Sequence, residues 1–447
     1  MAAAVLLLNL LLVMAAADVL DAAAAKSRCV TPPDEGSTVR VLHAFGPCSP
    51  LRSSGRFASW EDTLMDLQSR DRSRVIFLAS LATTSARRSF VPLAPGRQLL
   101  QIPNYVVRAK VGSPPQTMLV ALDNSNDAAW FPCAGCVGCA SSLPSFTASL
   151  SSTFRSLPCG SPQCSQVANP ACPAGAASCG FNLTFGSSSI QAGIVQDSLA
   201  LASDVVPSYT FGCLQKVTGS SVPPQGLLGL GRGPLSFLSQ TKDLYSSTFS
   251  YCLPSFKSLN FSGTLRLGLA GQPKRIKTTP LLSNPHRPSL YYVNMTGIRV
   301  GSRVVAIPPS VLAFDPATGA GTIIDAGTMF TRLVAPAYTA VRDEFRRRVK
   351  SSGNLTTLGG FDTCYDGAVT FAPTITLMFT GMNVTLPADN VLIHSTAGSI
   401  TCLAMAAAPE NVNSVLNVVA NMQQQNHRVL FDVPNAKIGF AREPCTA

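Results

Sequence analysis

Two stretches of the chain share one pattern, an apolar run that ends on an acid and then turns on small residues. Residues 117–122 lead into Asp123-Asn124-Ser125, and residues 322–324 lead into Asp325-Ala326-Gly327-Thr328. A short apolar run predicts a buried strand, and the small residues after it let the backbone turn beneath the acid. We therefore predict two buried carboxylates, one in each half of the chain, that face each other across a pseudo-twofold axis.

The remaining pattern after residue 100 predicts short strands arranged in two similar halves. The predicted elements are strands at 105–112, 226–231, 291–298 and 416–421, a hairpin with a small-residue tip at 182–193, and an amphipathic helix at 336–350. The strand at 416–421 is the expected counterpart of the strand around Leu228-Gly229. A duplicated all-β unit fits this order better than one large sandwich.

The first 95 residues differ in composition from the rest of the chain. Residues 1–17 form an Ala- and Leu-rich run that is too short to span a bilayer, which favours a signal peptide within residues 1–25 over a membrane anchor. The pattern of charged and apolar residues at 61–72 predicts an amphipathic helix, and a linker with Pro and Gly follows at 91–96. A detachable, basic pro-segment at 26–95 explains these features better than a third domain. We expect it to cover an acidic cleft until acidification.

Composition points to a secreted protein. Fourteen cysteines and N-x-S/T sequons fit an oxidising compartment and the secretory route. The candidate glycosylation sites are Asn182, Asn260, Asn294, Asn354 and Asn383. The C-x-x-C-x-x-C spacing of Cys133, Cys136 and Cys139 would suit zinc, but a disulfide-pinned surface loop is the favoured interpretation in a secreted chain. Spacing leaves the disulfide partners in this insertion open.

The formal net charge of +11 is scattered along the chain. Its one cluster, residues 346–350, is interpreted as a solvated helix face, with a nucleic-acid patch as the alternative. The four histidines lack metal-ligand spacing, and neither a phosphate-binding loop nor a convincing dinucleotide fingerprint is present. The sequence therefore predicts no cofactor and no metal.

Several motifs resemble those of pepsin-like aspartic proteases, in particular the secreted plant subgroup that includes nepenthesins and chloroplast-nucleoid-type and apoplastic aspartyl proteases. They are Asp123 with Trp130 seven residues later, the glycine-rich run at 226–233, residues 323–328, residues 421–426 and the ending at 439–442. The resemblance implies an all-β, bilobal fold with an N-terminal lobe at 96–285, which carries the Cys-rich insertion, and a C-terminal lobe at 286–447. Peptide or protein substrates would bind in extended form in the cleft between the lobes. It also implies a monomer without a membrane anchor or a nucleic-acid partner.

The resemblance assigns roles to particular residues. Asp123 and Asp325 would form the catalytic pair, because two carboxyls about 3 Å apart share one proton and act as base and acid on a water. Ser125, Gly327 and Thr328 would support them. Phe185, next to Gly186, falls where the family has its flap tyrosine, and Trp130 falls where an indole N–H meets that hydroxyl. Cys364 would pair with Cys402, and Cys252 with Cys445.

Three positions depart from the family pattern. Asn124 replaces a threonine, Ala326 replaces a serine or threonine, and Phe185 lacks the flap hydroxyl. A lost buried hydrogen bond costs about 0.5–1.5 kcal/mol, and a misplacement of about 1 Å can lower a rate around a hundredfold. The leading hypothesis is a secreted aspartic endopeptidase of reduced activity, made as a zymogen.

Two alternative functions remain. The first is a catalytically degenerate relative that binds proteins, as pepsin-like plant inhibitors of microbial xylanases do. The second is a protease with a nucleic-acid role, which the N-terminus disfavours because a chloroplast transit peptide is rich in Ser and Arg. The expected location is the apoplast or cell wall rather than the vacuole or chloroplast.

Overall fold

The computed structural model describes residues 37–43 and 49, ten helical positions between 64 and 78, and most of residues 105–445. The gaps after residue 105 are 140–143, 168–169, 173–176, 186–187, 220–225, 256–262, 396–399 and 410–414. The predicted signal peptide, the linker at 91–96, Gly186 and Asn260 therefore lie outside the described residues. No helix in the described part is long and apolar enough to cross a bilayer.

Strands dominate the first half, and nearly all of them belong to one twenty-stranded sheet system that extends into the second half. They are β1 (Thr38–His43), β2 (Tyr105–Val111), β3 (Gln116–Asp123), β4 (Trp130–Val137), β5 (Arg155–Ser156), β6 (Pro170–Ala171), β7 (Gly180–Phe185), β8 (Ser188–Leu201), β9 (Asp204–Thr218), β10 (Leu227–Gly229), β11 (Thr248–Cys252), β12 (Gly263–Leu267) and β13 (Lys277–Leu282). Short helices follow some of these strands: α1 (Pro162–Ser165), α2 (Phe237–Gln240) and α3 (Lys242–Tyr245), with a 3₁₀ turn at Ala148–Leu150.

The second half repeats this β-rich plan and adds three smaller sheets. Its strands are β14 (Tyr292–Val293), β15 (Met295–Val300), β16 (Arg303–Val304), β17 (Gly321–Ile324), β18 (Thr331–Leu333), β19 (Lys350–Ser351), β20 (Leu355–Leu358), β21 (Phe361–Tyr365), β22 (Val369–Phe371), β23 (Ile375–Phe379), β24 (Met382–Leu386), β25 (Leu392–His394), β26 (Thr401–Leu403), β27 (Met405–Ala407), β28 (Leu416–Val419), β29 (His427–Asp432) and β30 (Lys437–Arg442). Its helices are α4 (Pro309–Leu312), α5 (Ala335–Arg348) and α6 (Asn421–Gln424), with a 3₁₀ turn at Ala388–Asn390.

The two halves use the same local arrangement to place an acid at a strand end. In the first half, β3 pairs in parallel with β10, so that Asp123 lies beside Gly229. In the second half, β17 pairs in parallel with β28, and Ile324 lies beside Val419. Strands β10, β17 and β28 are buried along their whole length, and their residues are mostly apolar. The predicted equivalence of the two strand pairs, and the all-β plan in two lobes, are confirmed.

A set of antiparallel strands joins the two halves. The last two strands of the chain reach back to the first half, because β29 pairs with β11 and β30 pairs with β13. The disulfide between Cys252 and Cys445 fixes this tail covalently. The predicted pro-segment also contributes to the sheet, since β1 pairs with β12 and with β2.

The helical residues described between 64 and 78, which we call the covering helix, pack on the second half. Their buried positions follow the helical spacing of three and four residues, which places them on one face. Leu64 and Leu67 pack with Phe330 and its neighbours, and Val75 and Leu78 join a cluster around Ile323. The helix predicted at 61–72 therefore exists and continues beyond its predicted end.

All twelve cysteines after residue 130 are paired in disulfides. In the insertion, Cys133 pairs with Cys213 and Cys136 pairs with Cys139. The other pairs are Cys159–Cys172, Cys164–Cys179 and Cys364–Cys402. The C-x-x-C-x-x-C run is thus a disulfide-pinned loop, and its thiols are unavailable for zinc.

The basic cluster at 346–350 lies at the end of α5 and is paired within the protein. Glu344 accepts ion pairs from Arg347 and Arg348, and Arg346 donates to the carbonyl of Asp362. The helix stops at Arg348, two residues before its predicted end, because Val349 takes an extended conformation. This pairing is consistent with a solvated helix face.

Candidate active site

Asp123 and Asp325 are both buried at strand ends, with side chains 0% and 1% exposed. Main-chain and side-chain donors in the following turn hold each carboxylate. Asp123 Oδ1 accepts from Ser125 N at 2.8 Å and from Ser125 Oγ at 2.7 Å, and its Oδ2 accepts from Asn126 Nδ2 at 2.7 Å. Asp325 accepts from Gly327 N at 3.2 Å and from Thr328 N at 2.9 Å, and the Thr328 hydroxyl also donates to it.

One guanidinium group from the covering helix bonds both carboxylates. Arg74 donates to Asp123 through Nη1 and Nη2, each at 2.8 Å, and to Asp325 through Nε at 2.8 Å and Nη2 at 2.9 Å. Its Nη2 also donates to Ser125 Oγ at 2.6 Å. A planar guanidinium can bond two carboxylates in this way because its five N–H donors form a rigid fork. The two acids therefore lie on opposite sides of one cation.

Gly327 makes this approach possible. A Cβ atom at this position would lie 2.3 Å from Cζ of Arg74, closer than any non-bonded contact allows. We call Asp123 and Asp325 the dyad. Gly327 leaves space beside the dyad for the guanidinium, as it would for another ligand.

The electrostatics of this arrangement favour the ionised form of Asp123. Burial alone would raise the pKa of Asp123, but the charge and hydrogen bonds of Arg74, with those of Ser125, hold its pKa below the ordinary value. The same attraction raises the pKa of Arg74, against the effect of its own burial. While Arg74 is in place, Asp123 is therefore held as a carboxylate.

Asn124 links the two halves beneath the acids. Its Nδ2 donates to the carbonyl of Ile324 at 3.0 Å, and its Oδ1 accepts from the N–H of Ala326 at 2.8 Å. An amide thus supplies both a donor and an acceptor to the opposite loop. The equivalent residue after Asp325 is Ala326, and its methyl side chain can make no such bonds.

The loop of Asp325 receives its support from α6 instead. Asn421 Nδ2 donates to the carbonyl of Ala326 at 2.9 Å, and its N–H donates to the carbonyl of Thr328 at 2.8 Å. Gln424 Nε2 donates to the carbonyl of Asp325 at 3.1 Å. These bonds from α6 fix the backbone of the loop.

The predicted hairpin is formed by β7 and β8, with Phe185 paired to Ser188 beside the tip. Only the backbone of Phe185 belongs to the described part of the chain. Trp130 is 2% exposed and packs with Phe181 and Leu227. Its Nε1 has no hydrogen-bond acceptor among the described residues, which agrees with the absence of a hydroxyl at position 185.

The sequence reasoning missed four residues of the site, namely Arg74, Asn126, Asn421 and Gln424. A signal for Arg74 was present. Positions 64, 67, 68, 71, 74, 75 and 78 form one helical face, and its charged residues are Asp71 and Arg74. Two charges on a mostly apolar face indicate partners in whatever that face covers.

Comparisons with known proteins agree with this geometry. The family model described as "Xylanase inhibitor N-terminal" matches residues 105–269, and the one described as "Xylanase inhibitor C-terminal" matches residues 290–442. Aspartyl protease AED3 of Arabidopsis thaliana is 51% identical over 428 residues, which cover 94% of this chain and 95% of that protein. The chain belongs to the plant pepsin-like aspartic proteases.

Other members of the family support this assignment. Aspartic proteinase nepenthesin-1 of Nepenthes gracilis is 33% identical and covers 77% of this chain and 78% of its own. The crystal structure of edgp matches with a TM-score of 0.61 at 22% identity, over 80% of this chain and 97% of that one. The chain therefore shares its fold with that structure. The names of the protease relatives support a peptidase activity in general, with peptides or proteins as substrates.

The remaining predicted positions lie on the surface or fasten the aspartic protease lobes. Asn182, Asn354 and Asn383 are exposed, and Asn294 is half-buried with its Nδ2 bonded to Thr380. Glycosylation of these sites remains a prediction. Cys364 and Cys402 join neighbouring strands of the second lobe, where β21 pairs with β26.

Proposed function

We propose that the protein is a secreted aspartic endopeptidase that hydrolyses peptide bonds with Asp123 and Asp325. The observation that carries the proposal is the single guanidinium bonded to both carboxylates, because it places two buried acids within reach of one small ligand. Membership in a family of aspartyl proteases supports the same reaction class.

The proposed mechanism begins when Arg74 leaves. Two adjacent carboxyls cannot both stay ionised without a cation between them, so they take up one shared proton. A water between them then gives a proton to the ionised carboxylate and attacks the peptide carbonyl, while the protonated acid donates to the carbonyl oxygen. Ser125 and Thr328 keep their acids oriented during this exchange through the bonds described above.

The proposed precursor is inactive because the covering helix occupies the site. Arg74 fills the space over the dyad, and the apolar face of the helix packs on the second lobe. Acidification would protonate the carboxylates and remove the attraction to Arg74. Entry into the secretory route and an apoplastic or cell-wall location are part of the same proposal, supported by the six disulfides of the described residues.

A second candidate is a protein-binding relative without catalytic activity. The two family models that match this chain are described as xylanase inhibitor domains. In addition, Ala326 supplies no side-chain hydrogen bond across the lobes, and Phe185 has no hydroxyl to offer Trp130. In this case the cleft or its surrounding loops would bind another protein without cutting it.

One assay separates the two candidates. The full chain is incubated at about pH 3–5 with a denatured protein, with and without pepstatin. Pepstatin-sensitive cleavage is the expected result. Absence of cleavage, followed by its appearance after Ala326→Ser or after Asn124→Thr combined with Ala326→Ser, would establish the degenerate relative instead.

A further inference from the structure

A second charged residue of the covering helix docks beside the dyad, one helical turn before Arg74. Asp71 is 2% exposed and lies against the start of the segment that follows the Asp325 turn. Its Oδ1 accepts from the N–H of Met329 at 2.7 Å, and its Oδ2 accepts from the N–H of Phe330. Two successive backbone donors therefore hold one carboxyl group.

A buried cation stands next to this carboxyl group. Arg332 is 4% exposed. Burial raises the pKa of Asp71, and the charge of Arg332 opposes that rise. Its Nη1 donates to the carbonyl of Ala407 at 3.2 Å, and its Nη2 donates to the carbonyl of Gln68 in the covering helix at 3.0 Å. Its Nε has no acceptor among the described residues. A cavity of about 250 Å³ adjoins Arg332, and Gln68 and Arg72 of the covering helix also line it.

Removal of the covering helix would expose all of these donors at once. Met329 and Phe330 would lose the carboxyl acceptor, and Arg332 would lose Gln68. Buried N–H groups and guanidinium groups require partners, since an unpaired buried donor is unfavourable, and more so when it is charged. The donors lie four to seven positions after Asp325 in the chain, and Asp71, which they hold, lies one helical turn before Arg74, which bonds Asp325. The vacated site would therefore adjoin the two acids.

We propose that in the processed protein the N–H groups of Met329 and Phe330, together with Arg332, form a subsite that binds an acidic side chain of the substrate. Asp71 occupies this subsite in the precursor as Arg74 occupies the dyad. The inference rests on the proposed peptidase function and names the class of substrate, which is a polypeptide with Asp or Glu near the bond that is cut.

The geometry selects a carboxyl group over its amide. A carboxyl group offers one oxygen to each of the two N–H donors, with or without a proton. The side chain of Asn turns an NH₂ group towards one of them, which leaves a buried donor unpaired. Arg332 adds attraction for the ionised form and is fixed by the Ala407 carbonyl, so its position does not depend on the substrate.

The test compares cleavage preferences within each variant. The full chain is folded, cleaved at a protease site introduced between residues 88 and 96, and given a mixture of peptides whose products are identified by mass spectrometry. We expect Asp and Glu to be enriched at least fivefold over Asn and Gln at one position near the cut bond. The enrichment should fall in Arg332→Met, fall less in Arg332→Lys, and persist unchanged in Arg303→Met, which changes an exposed arginine of the same lobe.

Enrichment that is absent from the wild type, or that is unchanged in Arg332→Met, would overturn the inference. If no variant cuts any peptide, the proposed function has failed and binding decides the inference separately. The probe is then a labelled peptide of residues 64–78 and its Asp71→Asn form. We expect the native peptide to bind at least tenfold more tightly to the processed wild type, and the difference to be smaller in Arg332→Met. Equal binding of the two peptides would reject the subsite.

Discussion

At the scale of single residues, Arg74 controls the resting state of the site. It is 4% exposed, and its hydrogen bonds reach both acids and Ser125. A cation between two buried carboxylates neutralises a repulsion that the fold would otherwise have to relieve by taking up a proton. The predicted pro-segment thus carries the group that holds Asp123 in its ionised form.

Replacement of Arg74 should release the covering helix. Arg74→Ala leaves two buried carboxylates without their cation, and loss of one partner from a buried pair costs about 3–5 kcal/mol. We expect an added protease to cut the covering helix at neutral pH. The measurement is the rate of cleavage before residue 105. The matched control is Arg72→Ala, because Arg72 is exposed on the same helix. Equal protection of the two variants would contradict the role given to Arg74.

Asn124 should contribute to stability through its two bonds to the opposite lobe. Asn124→Ala removes both bonds and strands the buried carbonyl of Ile324 and N–H of Ala326, so we expect the free energy of unfolding to fall by about 2–3 kcal/mol. Denaturant unfolding measures this change. Asn435→Ala, in an exposed turn, should stay within about 0.5 kcal/mol of the wild type. A similar loss in both variants would show that the cross-lobe bonds are unimportant.

Single-residue chemistry could be predicted from the sequence only where a local pattern marks it. Asp123 and Asp325 stand out because an apolar strand ends on each of them. The residue type of Arg74 does not distinguish it, since Arg70 and Arg72 lie beside it in a polar segment. Only its position on the buried face of the helix marks it. The role of Asn421 depends on where α6 packs, and that is decided by pairing between distant strands.

At the scale of elements, β1 couples the predicted pro-segment to pH through His43. His43 is 2% exposed and packs edge-on against Tyr105, with ring centroids 5.0 Å apart. Burial lowers the pKa of His43 to about 3 from its ordinary value of 6.5. A docked group with a lowered pKa resists protonation, so docking of β1 weakens as pH falls below 6.5 and continues to weaken towards pH 3. At pH 4 this opposes docking by on the order of 3 kcal/mol.

Substitution of His43 should therefore shift the pH at which the pro-segment separates. His43→Phe keeps an aromatic contact with Tyr105 and removes the titrating group, so we expect release at lower pH than in the wild type. The measurement is the pH midpoint of release, followed in a disulfide-intact chain by hydrogen exchange in β1 and β12. An unchanged midpoint would show that His43 does not contribute.

Asp71 acts in the opposite direction on the covering helix. Burial raises the pKa of Asp71 to about 7, with Arg332 and the N–H groups of Met329 and Phe330 opposing that rise. Its docking therefore becomes more favourable as pH falls from about 7 towards 4. Release in acid must then come from His43 and from the dyad, where the lowered pKa of Asp123 makes docking less favourable in acid.

Element boundaries were predictable where the apolar pattern is strong. Strands β3 and β17 and the hairpin of β7 and β8 lie where the sequence predicts them. The insertion of β1 between β12 and β2 could not be predicted, because residues 38–43 pair with partners far along the chain and carry no turn that would indicate them.

At the scale of the whole molecule, the fold brings two strand ends together. The parallel pairs β3–β10 and β17–β28 each end at an acid, and Asn124 connects the two turns across the lobes. Duplication of the pattern made this arrangement predictable from the sequence. The covering of the cleft by residues 64–78 was foreseen only as a general property of a basic pro-segment, because the docking face depends on the finished second lobe.

The most direct test of the account is cleavage of a denatured protein at about pH 4 by processed wild type, Asp123→Asn and Asp325→Asn. Each substitution keeps the size of the side chain and removes one member of the proton-sharing pair. We expect the wild type to cut the protein and each variant to lose activity by about 10²–10⁴-fold. Equal cleavage by the wild type and either variant would contradict the central claim that these two acids act together on one water.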